Sequence, residues 1–196
     1  MPKIVDHEQQ RLELSSTVAS ALAELGLEHT TLRAVAVRHG CTKGMVQHYF
    51  ADKEELMVAA LIYVEEQCGR RLNDVSATDR GLALLHARLT AQLPIGTQAL
   101  EEWKVRLAFG TRAALSNEMR VHLRQFQDGY QNIGVGCLRR AQRAGDLKSS
   151  LSLRNSYRAL MALVCGISVS VVAGEAGLNA GNQRQILNSA IESLRH

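Results

Sequence analysis

Thr31-Thr-Leu-Arg-Ala-Val-Ala-Val-Arg-His-Gly-Cys-Thr-Lys-Gly-Met-Val-Gln-His-Tyr-Phe-Ala-Asp-Lys-Glu-Glu-Leu56 is the stretch whose reading decides the fold. Leu32, Val35 and Ala36 share one face of a helix that Thr31 caps. Gly40 stands where the chain must stop and reverse, a place for a residue free to take positive φ. Thr42 then caps a second, short helix. Val46 and Phe50, four apart, point back to a core, while Lys43, Gln47 and His48 face outward. Asp52 caps a third helix that opens at Lys53.

Helix, tight turn, short polar helix and third helix form the layout of a helix-turn-helix that reads DNA. The hydroxyl of Thr42 and the free backbone N–H groups of Lys43 and Gly44 lie at a positive helix end, which suits a phosphate. Gly44, without a side chain, lets the backbone come close to a groove. The plainer alternative is a pair of packed helices whose polar face is merely solvated. Local charge favours DNA modestly: Arg33, Arg38, Lys43 and Lys53 stand against Asp52 alone between residues 31 and 53. From the N-terminus to Lys53, six cations balance six acids, so placed contacts outweigh bulk charge.

Gly40-Cys-Thr-Lys-Gly44, His48-Tyr-Phe50 and Asp52-Lys-Glu-Glu-Leu56 together resemble the signature of the TetR family of one-component transcriptional repressors. The resemblance is strong over about residues 8 to 60. It implies a DNA-binding head over residues 1–52 and a helical dimerisation and effector-binding domain over residues 53–196. It also implies phosphate contacts from Thr42, Lys43, Tyr49 and Lys53, with Lys43, Gln47 and His48 near base edges. Thr31 and Gly44 complete the expected DNA-facing set. Many members carry an aromatic where this chain has Gln47, and glutamine pairs with adenine in the major groove, so its operator preference is expected to differ.

The remaining sequence reads as helix throughout. Of 196 residues only Pro2 and Pro94 are prolines, and strand-like alternation is scarce, so the expected class is all-α. A three-helix head of about 50 residues would be marginal alone and needs packing against the rest. The first helix is expected from about Asp6 to Leu25, with Leu14, Val18, Leu22 and Leu25 on its inner stripe and Gly26 ending it. The helix from Lys53 turns Leu56, Ala60 and Tyr63 inward and continues towards Leu72, before a break at Ser76-Ala-Thr-Asp79. Leu82, Leu85, Leu89 and Leu93 mark the next helix, stopped by Pro94 and Gly96. Further helices are expected over 98–115, 117–144, 153–173 and 182–194.

Met161 to Ala173 is apolar on nearly every face, so that helix needs covering. With Ile186, Leu187, Ala190, Ile191 and Leu194 of the last helix it forms a face able to pair with its own copy. A two-fold homodimer through the last two helices would set two recognition helices about one duplex turn apart, matching a near-palindromic double-stranded operator. The alternative is that both helices pack only within one subunit.

An effector would bind among the middle helices. Trp103, Phe109, Met119, Phe126, Tyr130 and Met161 supply apolar walls, and His86, Glu102, Arg106 or Arg112 polar contacts. The effector-site expectation is His86, Trp103, Arg106, Phe109, Phe126, Tyr130 and Met161. Aromatics and methionines at helical spacing are more often plain core. The face from Trp103 to Arg112 resembles the choline-responsive branch of the family, and a cationic ligand would want an aromatic cage.

Catalysis is not expected. Glu54-Glu55, Glu65-Glu66 and Glu101-Glu102 are neighbours that point about 100° apart on a helix. Gly166-Ile-Ser-Val-Ser170 lacks a nucleophile elbow's last glycine, and Gly134-Val-Gly136 a dinucleotide site's third. Cys41, Cys68, Cys137 and Cys165 form no CxxC pair and no zinc pattern, so no metal or cofactor is expected. Buried free thiols are their default, with a redox role for Cys41 the lesser alternative. No apolar run reaches membrane-spanning length and the first ten residues are too charged for a secretory signal, so a cytoplasmic chain, nucleoid-associated when on DNA, is expected. The expectation for function is a ligand-released repressor. The alternatives are a constitutive DNA-binding adaptor of the same fold that recruits a protein partner, and a module whose head no longer uses DNA.

Overall fold

The computed structural model describes residues 7–75 and 81–195. The expected break at Ser76 to Asp79 lies outside the described residues. Helices α1 (His7–His29), α2 (Leu32–His39), α3 (Lys43–Tyr49), α4 (Lys53–Asp74), α5 (Gly81–Thr90), α6 (Thr97–Ala113), α7 (Asn117–Arg143), α8 (Leu153–Val172) and α9 (Ala180–Glu192) follow in order, with no strand among the described residues. The class is all-α. The chain forms two compact units, Met1–Gln67 with Lys104–His122, and Cys68–Trp103 with Leu123–His196.

In the first unit the helix ends are where short-range chemistry puts them. Gly26 sits within α1 at φ 75°, ψ 176°, a non-helical conformation, and the last turn runs on to His29 beyond it. Thr31 caps α2 by accepting from Ala34 N at 3.1 Å, and Gly40 closes it in the left-handed region at φ 77°. Asp52 caps α4 by accepting from Glu55 N at 2.9 Å, while the Glu55 carboxylate accepts from Ala51 N at 2.8 Å. Leu14, Val18, Leu22, Val35, Val46, Phe50, Leu56 and Leu61 fill the core. Leu25 does not join them. It is 39% exposed and lies in a shallow groove with Ala34 and Val37, because the break at Gly26 ends the packed stripe early.

The second unit is built on Leu82, Leu85, Leu89, Trp103, Leu138, Tyr157, Leu160, Val164, Leu187 and Ile191 from α5, α6, α7, α8 and α9, with Leu93 joining them from the turn after α5, which ends at Thr90 and so stops short of the expected Leu93. Both α5 and α8 pack on α9. By length and composition α8 is apolar enough to cross a membrane, with 28% of that stretch buried. This corrects the expectation that no run reaches spanning length. Ser156, Ser168 and Ser170 interrupt the run residue by residue, but serine and glycine barely dilute its average over five turns. In α8, Ala162, Cys165, Gly166 and Val169 are exposed, as is Ile186 in α9.

Candidate nucleic-acid interface and effector region

The recognition segment is assembled by its own side chains. Thr42 caps α3 by accepting from Met45 N at 3.2 Å, and Phe50 N closes it on the Val46 carbonyl at 3.0 Å. Val46 and Phe50 are fully buried, which fixes the roll of this seven-residue helix. Thr42, Lys43, Gly44, Gln47 and His48 are consequently exposed together, and Tyr49 is half-buried. Thr31 is exposed one cap upstream. Lys53 is half-buried, its Nζ donating to the Glu28 carbonyl at 3.4 Å.

The cationic side chains nearby are not equivalent. Arg38 is held by Glu24 at 2.5 Å and by the Ser20 hydroxyl at 3.0 Å, which ties its charge to α1. Lys43 and Gln47 are exposed. Two residues outside the expected set join this surface. His7 hydrogen-bonds the Tyr49 hydroxyl at 3.1 Å, and Arg11 donates to the Tyr49 carbonyl at 2.8 Å while its guanidinium covers the Phe50 ring at 4.9 Å. Nothing in their local sequence signals this, since α1 reads as an ordinary amphipathic helix. Partial burial pushes the Cys41 thiol up from its ordinary value, the opposite of what a reactive thiolate needs.

The expected effector residues divide between the units. His86, Trp103, Phe126, Tyr130 and Met161 belong to the second, Arg106 and Phe109 to the first. Trp103 is 6% exposed, donates from Nε1 to the Gln92 carbonyl at 2.6 Å, and shares one apolar cluster with Met161. Phe109 and Met119 are buried, and Phe126 and Tyr130 are half-buried. Arg106 meets Glu65 at 2.7 Å, Arg112 meets Glu54 at 3.1 Å, and Glu102 is gripped at both oxygens by Arg71. His86 hydrogen-bonds Asn188 and lines an open cleft of about 590 Å³ with Arg71, Thr90, Ile95 and Arg184. The Thr90 hydroxyl there is buried without a hydrogen-bond partner among the described residues.

Residues 18–60 match the model of bacterial regulatory proteins of the tetR family, and residues 82–196 that of the BetI-type transcriptional repressor C-terminal domain. The chain belongs to the TetR family. It is a DNA-binding transcriptional regulator, and its relatives are regulators rather than enzymes. This member is 24% identical to the HTH-type transcriptional regulator PksA of Bacillus subtilis over 99% of this chain and 94% of that one. The HTH-type transcriptional regulator BetI of Burkholderia cenocepacia is 39% identical over 64 residues, 33% of each chain. Among solved folds, a transcriptional regulator from Saccharomonospora viridis in complex with choline has a TM-score of 0.87 at 22% identity, covering 95% of this chain and 97% of that one. A TetR-family regulator from a Rhodococcus species has a TM-score of 0.83 at 20% identity, covering 96% and 100%.

Proposed function

We propose that this TetR-family member is a homodimeric repressor that leaves a near-palindromic operator when a small molecule binds. The observation that carries the reading is the exposed row Lys43, Gln47 and His48 on a helix whose roll is locked by buried Val46 and Phe50. Lys43, Gln47 and His48 read base edges. Thr42, Lys43, Tyr49 and Lys53 hold phosphates, with Thr31 and Gly44 beside them. Functionally, residues 1–52 act as the head and residues 53–196 as the dimerising and effector-binding part.

Dimerisation is supported by the exposed apolar face of Ala162, Cys165, Val169 and Ile186 on the last two helices. A copy of the same face would cover it by two-fold symmetry. Effector binding is supported by the cleft at His86 and by the BetI-type match. The Saccharomonospora neighbour holds choline, whereas Trp103 of this chain is packed and its ring N–H engaged. The effector is therefore proposed only as a small molecule. Its leverage comes through α4, which starts at Lys53, and equals its difference in affinity between the two settings of that helix.

Binding of the purified chain to DNA from upstream of its own gene, against unrelated DNA of equal length over a salt series, tests the reading. Selective binding at two subunits or a multiple of two per site, weakened by an added effector, is expected. Choline is the first compound to add. Binding that follows salt alone, with no preference between the two DNAs, would overturn it.

A further inference from the structure

Tyr49 ends the recognition helix, yet its hydroxyl is held by a residue 42 positions away, His7 on the first turn of α1. The rings of His7, His48 and Tyr49 form a cluster. Their centroids lie 5.9 Å apart for His7 and His48, 6.1 Å for His7 and Tyr49, and 5.2 Å for His48 and Tyr49. One turn further along α1, Arg11 donates to the Tyr49 backbone carbonyl at 2.8 Å. The opening turns of α1 thus fasten Tyr49 at its backbone and at its hydroxyl. His7 and His48 are exposed, so the cluster is open to an approaching ligand.

The consequence rests on the reading that the Tyr49 hydroxyl meets a DNA phosphate. A phenol carries one hydrogen, and a phosphate oxygen only accepts. In the complex that hydrogen must point to the phosphate, and the phenol oxygen is left to accept. Its partner at 3.1 Å must then bring a hydrogen of its own.

We propose that His7 is a positioning residue for DNA binding: with a hydrogen on Nδ1 it donates to the Tyr49 oxygen and turns the hydroxyl towards phosphate. With Nδ1 bare, the same imidazole accepts the Tyr49 hydrogen and withdraws it from DNA. Binding selects the Nδ1–H forms, one of which is the imidazolium, so DNA and a proton at His7 strengthen each other. Among the described residues, the charged and titratable groups beside it are Glu8 and Arg11 on α1 and His48 and Tyr49 on α3. His48 is a second imidazole on this face, so the informative quantity is the difference between wild type and a His7 variant.

The test measures binding of the full chain to DNA from upstream of its gene and to an unrelated duplex, between about pH 8 and pH 6, where histidine switches are read. His7→Phe keeps a ring and removes the hydrogen bond. His7→Asn places a non-titrating amide N–H at the level of Nδ1. His7 is exposed, so both should fold, and helical circular dichroism checks that they do. His7→Phe and Tyr49→Phe should each weaken binding to both DNAs roughly tenfold, as loss of one charge-assisted contact would. The double variant should be no weaker than either single one. His7→Asn should restore affinity and reduce the gain on acidification relative to wild type. Wild-type affinity in His7→Phe, additive losses in the double variant, or a wild-type pH profile in His7→Asn would each overturn the inference. If Tyr49→Phe weakens binding and His7→Phe does not, only the role of His7 falls. If wild type binds neither DNA, the DNA reading falls with it.

Discussion

Gly134 of α7 lies directly against the ring of Tyr157 of α8. A Cβ at position 134 would stand 1.9 Å from Cε2 and 2.4 Å from Cδ2 of that ring. Tyr157 is 4% exposed and packed in the apolar cluster of its unit, so the ring has nowhere to move. The hydrogen side chain of Gly134 is what lets these two helices approach. Gly134→Ala should destabilise the protein by about 1–3 kcal/mol through overpacking, despite the better helix propensity of alanine. Urea denaturation at fixed protein concentration measures this, and an unchanged midpoint would contradict the packing account.

Burial pushes the Tyr157 hydroxyl up to about 12, opposed by the charge of Arg88 and assisted by Cys137 and Cys165. The folded value exceeds the unfolded one, so the folded protein holds this proton more tightly. The resulting stability is complete below about pH 10 and is lost as pH rises through about 12, a total of about 2–3 kcal/mol. Tyr157→Phe should remove that part of the alkaline decline. Chemical denaturation of both proteins along a series from about pH 9 upward gives the comparison, and parallel curves would refute it.

Arg106 and Glu65 form a nearly dry ion pair, with side chains 12% and 3% exposed and contacts of 2.7 and 3.2 Å. Glu65→Ala would break a buried ion pair by removing one partner and should cost about 3–5 kcal/mol. Replacing both, as Glu65→Leu with Arg106→Met, should recover most of that loss, because the two buried charges are then removed together. Thermal unfolding of the three proteins decides it. A double variant as unstable as the single one would show that shape, not charge, dominates here.

Gln47 and Lys53 should fail in different ways. Gln47→Ala should relax preference at one base position of each half-site, at about 1–3 kcal/mol if the glutamine pairs with adenine by two hydrogen bonds. Lys53→Ala should weaken binding on every sequence and lower the salt slope by about one phosphate's worth. Lys53 also donates to the Glu28 carbonyl, so its loss is read against a stability control on the same variant. Competition binding on a set of single-base operator variants separates the two, and a uniform loss for Gln47→Ala would end its role as a reader.

Much of the recognition segment was legible because its determinants are local. Thr31, Thr42 and Asp52 cap helices whose N–H groups lie three residues ahead, and Gly40 closes α2 in the left-handed region, which glycine enters without the cost other residues meet. The inward roll of Val46 and Phe50 follows from a four-residue spacing that any helix imposes. Leu25 shows where such periodicity stops: the spacing turns it inward, but the break at Gly26 ends the packed stripe and leaves it 39% exposed. Of the polar residues offered to an effector, Arg106 and Glu102 turned out to be held by acid or base partners of their own. Spacing along one helix reveals which way a side chain points and nothing about what stands opposite.

The sequence by itself determined the all-helical class, the family and the exposed row of Lys43, Gln47 and His48, since each depends on interactions within a turn or two of the chain. Tertiary structure alone decided that His7 meets Tyr49, that Arg106 meets Glu65, and that Gly134 admits Tyr157. The physical reason is range. A hydrogen bond or a van der Waals contact acts over a few ångströms, and residues 41 or 42 apart in the chain come within that reach only once the helices have packed.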